Sequence, residues 1–137
     1  VFTAGETPKV VEFKGWRINL QICYDLRFPE LTANHLLQDG SSKFDMILYV
    51  ANWPEKRINH WNTLLKARAI ENQSYVVACN RVGIDFNNIN YTGGSCVINA
   101  VGNVISKESN KEGLIETTID KSKLNEIRDQ LPFLKDR

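Results

Sequence analysis

Along this chain the apolar positions change period several times, and each change marks an element. Residues 10–13 are a short strand-like run before the turn Lys14-Gly15, and residues 17–24 alternate. In that second run Ile18, Leu20 and Ile22 share one face, and Asn19, Gln21 and Cys23 share the other, as a strand requires. Pro29 suits the first turn of a following helix, with Leu31, Leu36 and Leu37 as its apolar side, until Asp39-Gly40-Ser41-Ser42 breaks it. The run 45–50 reads as a buried strand of a parallel sheet. Trp61, Leu64, Leu65 and Ile70 then recur at helical spacing, which predicts a helix over 58–72. Further on, 75–79 reads as a strand, 83–94 as a loop rich in Asn and Gly, and 113–119 as a last strand. Between them 95–100 and 104–107 flank Gly102-Asn103 as a hairpin. Leu124, Ile127 and Leu131 mark a closing helix stopped by Pro132. Strands and helices alternate early and strands crowd together late, so the class is α/β with a mixed sheet and flanking helices.

Composition narrows what such a fold does. At 137 residues the chain holds one ordinary domain at most. Its 17 Lys and Arg against 16 Asp and Glu leave a formal charge of +1, which gives no basic surface for nucleic acid or an anionic membrane. Apolar runs such as 46–51 are too short to span a bilayer, and 1–11 lacks the charged start and apolar stretch of a signal peptide. The three cysteines, Cys23, Cys79 and Cys96, are odd in number and sparse, which argues against a disulfide framework and for a reducing, cytoplasmic setting. His35 and His60 stand far apart with no ligand pattern beside them, so no metal is expected. The first residue is Val1 rather than Met and the chain opens in mid-element, so a fragment is expected.

Cys23 is the most informative position. It ends a strand on the less apolar face, where Tyr24 to Glu30 turn the chain toward the helix expected at Pro29. A nucleophile at so sharp a turn is exposed, the amide after it can face a developing oxyanion, and a nearby helix start favours a thiolate. The alternative is a small buried hydrophobe, the reading kept for Cys79 and Cys96.

The surrounding words favour chemistry. The segment Gln21-Ile22-Cys23-Tyr24-Asp25-Leu26-Arg27-Phe28-Pro29-Glu30-Leu31 resembles the cysteine motif of the nitrilase, or carbon–nitrogen hydrolase, superfamily. Phe2-Thr3-Ala4-Gly5-Glu6 resembles that family's Pro-Gly-Asp-type approach to the first strand. His60-Trp61, Ala67-Arg68-Ala69-Ile70-Glu71-Asn72, Asn80-Arg81-Val82-Gly83 and Tyr91-Thr92-Gly93-Gly94-Ser95 follow in the family's order, with Arg128 and Pro132 near the end. The resemblance covers essentially the whole chain. It implies an α-β-β-α sandwich, of which residues 1–137 would be the C-terminal portion, and hydrolysis of non-peptide C–N bonds without a cofactor. By the same carry-over Cys23 is the nucleophile and the Tyr24 N–H an oxyanion donor. The family's catalytic glutamate and lysine fall upstream of Val1, and Glu6 matches a turn position, so this segment alone is expected to be inactive.

Within the superfamily, Cys23-Tyr24-Asp25 and Leu26-Arg27-Phe28-Pro29-Glu30 are similar to the Nit-type amidases. Tyr49-Val50-Ala51-Asn52-Trp53-Pro54, His60-Trp61 and residues 68–73 are most similar to bacterial omega-amidases. That similarity implies a small-molecule amide substrate, the terminal amide of a 2-oxo dicarboxylic acid, with release of ammonia. A carboxylate in the substrate calls for a fixed cation, which Arg supplies as a planar fork. Arg57, after the loop that leaves the 45–50 strand, is the candidate; a solvated arginine at a helix start is the alternative. Trp53 is the candidate pocket wall, and His60 packs and hydrogen-bonds near it. Arg27 with Glu30, and Arg68 with Glu71, are spaced to pair and support the site, and Asp25 is read as fixing the turn. Lys107, Lys111, Lys121 and Lys123 read as a solvated surface. Two alternatives stand beside the omega-amidase reading: another amide substrate, such as a deaminated-glutathione or N-carbamoyl type, and a non-catalytic binding or assembly module. The resemblance also implies a homo-oligomer.

Overall fold

The computed structural model describes residue 3, residues 5–106 and residues 109–137. Phe2 and Ala4 of the first motif, and Lys107 of the hairpin and the lysine surface, lie outside the described residues.

Five strands form one mixed sheet in the order β1-β2-β3-β4-β7, with β1 at Lys9–Phe13, β2 at Trp16–Ile22, β3 at Met46–Ala51, β4 at Tyr75–Asn80 and β7 at Cys96–Ile98. The central strands β2, β3 and β4 are parallel, and the edge strands β1 and β7 run antiparallel to their neighbours. The helix α1, Ile58–Asn72, is the crossover between β3 and β4, with the bounds its apolar spacing predicts.

Each strand feeds two different faces. Ile47, Tyr49, Val76, Ala78 and Ile98 point to one face, where Trp61, Leu65 and Ala69 of α1 complete a core. Met46 and Tyr75 point to the other, where Leu124 of the helix α2, Lys121–Gln130, covers only the end at which the strands begin. On β2 the burial inverts the polarity of the residues. Asn19 and Gln21, bonded to each other at 2.8 Å, are 1% and 3% exposed, whereas Leu20 and Ile22 are 42% and 67% exposed. With Val50 and Cys79 in register beside Ile22, they form an open apolar strip at the carboxyl end of the sheet.

Several expected elements differ. No α-helix follows Pro29: Cys23–Arg27 and Pro29–Thr32 are two short 3₁₀ turns. Asn34 explains the stop, because its Nδ2 donates to Phe44 O and Asn72 O at 3.0 and 2.8 Å, and its N–H donates to Asn72 Oδ1. This buried tether holds the chain away from a helical path. The expected loop over 83–94 contains a hairpin of β5, Val82–Ile84, and β6, Asn90–Thr92, whose turn is closed by N–H donors from Asn87 and Ile89 to Asp85 Oδ1. Residues 113–119 form no strand. Lys121 is not a free surface lysine, since its Nζ lies 3.1 Å from the buried Asp45 carboxylate. No described helix is long and apolar enough to cross a membrane. Among the described residues no cluster of His, Cys, Asp and Glu is arranged to hold a metal ion.

Candidate active site

The parallel strands end at Ile22, Ala51 and Asn80, and the chain segments leaving them meet at that end. Cys23 follows β2 directly with φ +42°, in the left-handed region that a non-glycine residue enters at a cost of about 1–2 kcal/mol. The sequence places a sharp elbow here, and the backbone makes one without an α-helix. Asp25 fixes it by accepting the Ile22 N–H at 2.8 Å. Cys23 is half-buried, and its Sγ makes a weak contact, 3.9 Å, with the carbonyl of Asn52 on the loop after β3.

Leu26, fully buried, anchors the turn, and its carbonyl accepts from Arg68 Nη2 at 2.8 Å. Arg68 also pairs with Glu71 at 2.9 Å, so the expected helix pair exists and reaches the Cys23 turn. The expected Arg27–Glu30 pair is not among the ion pairs of the described residues. The Arg27 guanidinium instead lies 4.7 Å above the Trp53 ring and 5.7 Å from the Tyr24 ring, with Nη1 3.4 Å from His60 Nδ1. Glu30 is exposed.

Trp53 is almost completely buried. Its indole donates to Arg57 O at 2.7 Å and packs on Trp61, whose own Nε1 donates to Gly94 O at 2.9 Å. Thus Trp53 is the floor under Arg27. Arg57 meets this cluster through its backbone carbonyl, and its side chain is exposed. The geometry therefore brings together Cys23, Tyr24, Arg27, Trp53 and His60, with Asp25 and Arg68 behind them.

One organiser has no role in the sequence reading. Asn80, 5% exposed, accepts the Trp53 N–H at 2.7 Å and donates to Trp53 O and Gly93 O at 3.1 and 2.7 Å. It appears in the sequence as part of Asn80-Arg81-Val82-Gly83, but only the fold shows what its amide holds. On the hairpin, Tyr91 donates to Asp85 Oδ2 at 3.0 Å, with Arg81 4.9 Å from its ring. Burial first, and then the hydrogen bond to Asp85, push the Tyr91 phenol above its ordinary value.

The family model for carbon-nitrogen hydrolases matches residues 1–129. The chain belongs to the carbon-nitrogen hydrolase family. This carbon-nitrogen hydrolase chain is similar to omega-amidase YafV of Yersinia enterocolitica, at 45% identity over 98% of this chain and 51% of that protein. It is 39% identical to 2-oxoglutaramate amidase of Paenarthrobacter nicotinovorans, over 100% of this chain and 46% of that protein. A solved CN-hydrolase superfamily protein from Xanthomonas campestris, with an arsenic adduct in its active site, has the same fold: TM-score 0.93 at 45% identity, covering 99% of this chain and 52% of that one. The chain spans about half the length of the curated relatives it matches.

Proposed function

We propose that the protein is a thiol-dependent amidase that cleaves the terminal amide of a 2-oxo acid bearing a carboxylate. The observation that carries this reading is the strained Cys23 at the strand end with its Sγ against the Asn52 carbonyl, and the Arg27 guanidinium held on Trp53, the next residue of that loop. The relatives named omega-amidase and 2-oxoglutaramate amidase support the substrate class.

In this reading Cys23 Sγ attacks the amide carbon, and its proton passes through a general base to the leaving nitrogen. The C–N bond breaks, ammonia departs, and a thioester remains on Cys23. Water then attacks the thioester carbon, releasing the acid and restoring the thiol. The oxyanion of each tetrahedral intermediate takes the Tyr24 N–H, which the start of a helical turn leaves without an intrahelical acceptor. The base and a second oxyanion donor are the glutamate and lysine that the resemblance expects before Val1. Arg27 takes the substrate carboxylate in preference to Arg57, because its guanidinium is held against Trp53 and His60 while that of Arg57 is exposed.

The test is ammonia release from 2-oxoglutaramate by the full-length protein, with hydroxylamine to trap the acyl-enzyme. Cys23→Ala is expected to lower kcat by roughly 10⁴-fold or more and to abolish trapping. Full activity in that variant would reject the thiol mechanism.

A further inference from the structure

Cys23 Sγ meets protein at the carbonyl of Asn52, and that carbonyl belongs to the peptide unit joining Asn52 to Trp53. The N–H of the same unit donates to Asn80 Oδ1 at 2.7 Å. A peptide unit is planar, so fixing its N–H fixes where its C=O points. Asn80 also donates through Nδ2 to Trp53 O at 3.1 Å and Gly93 O at 2.7 Å. Its amide group therefore grips the loop after β3 on both sides of the Trp53 Cα and ties that loop to the one after β6.

Asn80 is itself held. The β4–β7 ladder pairs Ala78 with Cys96, and at Asn80 the Ser95 hydroxyl takes over: it accepts the Asn80 N–H at 2.9 Å and donates to Asn80 O at 3.1 Å. A buried amide satisfied at every polar atom is costly to disturb, and its partners are all main-chain groups.

We propose that Asn80 is a positioning residue for the nucleophile: it aims the Asn52 carbonyl at Cys23 Sγ and sets the direction from which the sulfur attacks. Its action passes through the peptide plane, and Asn80 does not itself contact the sulfur. The inference rests on Cys23 being the nucleophile. A misdirected sulfur costs turnover more than binding, because substrate is gripped elsewhere while attack needs alignment.

The experiment uses the full-length protein and compares Asn80→Ala with Leu124→Ala, a core truncation in α2 on the other face of the sheet. Two quantities are read besides the unfolding midpoint: kcat and KM for the oxo-acid amide, and the rate at which iodoacetamide labels Cys23, followed on its own peptide so that Cys79 and Cys96 do not contribute. Asn80→Ala is expected to lower kcat by roughly 10²-fold with KM within about threefold, and to change the Cys23 labelling rate by about tenfold. Leu124→Ala is expected to lower the midpoint and leave both readouts in place. Unchanged kcat and labelling in Asn80→Ala, or equal losses in Leu124→Ala, would overturn the proposal. If Asn80→Ala does not fold, Asn80→Ser is read against the same outcomes. Labelling needs no substrate, so failure of the wild-type protein on oxo-acid amides rejects the proposed activity and leaves the Asn80 inference to be judged by the labelling rate.

Discussion

A guanidinium lying on an indole presents its N–H groups sideways, toward anything that enters beside the ring. Arg27 is held in that way on Trp53, at 4.7 Å, while its neighbour in the chain, Leu26, is buried beneath the turn. In the proposed reading, removing the guanidinium removes charge-assisted bonds to a substrate carboxylate and leaves Cys23 in place. Arg27→Ala should therefore raise KM for amides bearing a carboxylate by about 10- to 100-fold and leave simple amides unaffected, in initial-rate measurements on the full-length protein. Arg57→Ala should change neither, and the reverse pattern would return the carboxylate to Arg57. The strand end and the sharp elbow at Cys23 were readable, because both are local. The setting of Arg27 was not readable. Arg27 and Glu30 have helical spacing, but the partner that holds Arg27 comes from another loop, and no local pattern records a ring arriving from elsewhere. Asn80 and Trp53 are likewise neighbours only after β3 and β4 have paired.

Among the elements, β2, β3, β4 and α1 were legible because each is long enough for its period to show. The turns after Cys23 were not. Pro29 and scattered leucines resemble a helix, but the buried bonds of Asn34 to Phe44 and Asn72 outweigh one amphipathic turn. Residues 113–119 have strand-like composition, yet Leu114 is 85% exposed and nothing pairs with them as a strand. At the opposite end of the sheet, Asp45 joins β2, β3 and α2. It accepts from the Arg17 N–H at 3.2 Å and from Arg128 Nη1 at 2.9 Å, with Lys121 at 3.1 Å. Burial alone would push its carboxyl up, but Arg128, the Arg17 N–H and Lys121 together hold it below its ordinary 3.8. The sign follows from that depression: the stabilisation is complete above pH 3.8 and is lost as pH falls from there through the lower folded value. Asp45→Ala should cost about 3–5 kcal/mol at neutral pH, by leaving Arg128 unpaired, and should flatten the acid limb of a denaturant-midpoint profile. An acid limb identical to wild type would assign the pH dependence to other carboxylates.

At the scale of the molecule, the strip of Leu20, Ile22, Val50 and Cys79 is the face that asks for a cover. We propose that a second sheet lies there, as the sandwich resemblance implies. A polypeptide of residues 1–137 should then bind an apolar dye such as anilinonaphthalene sulfonate strongly, and the full-length protein should not. Strong dye binding by the full-length protein would leave the strip open and reject the second sheet. Alternation on β2 was visible from the start; which row faces α1 was not, since it depends on neighbours that the pattern of one strand does not contain. With Cys23 as the proposed nucleophile, its left-handed backbone sets stability against turnover at a single codon, because glycine would sit there without strain and without a sulfur. A screen of random variants for heat resistance alone would thus tend to discard the proposed nucleophile while leaving the core intact, and only a selection that also demands activity would keep it.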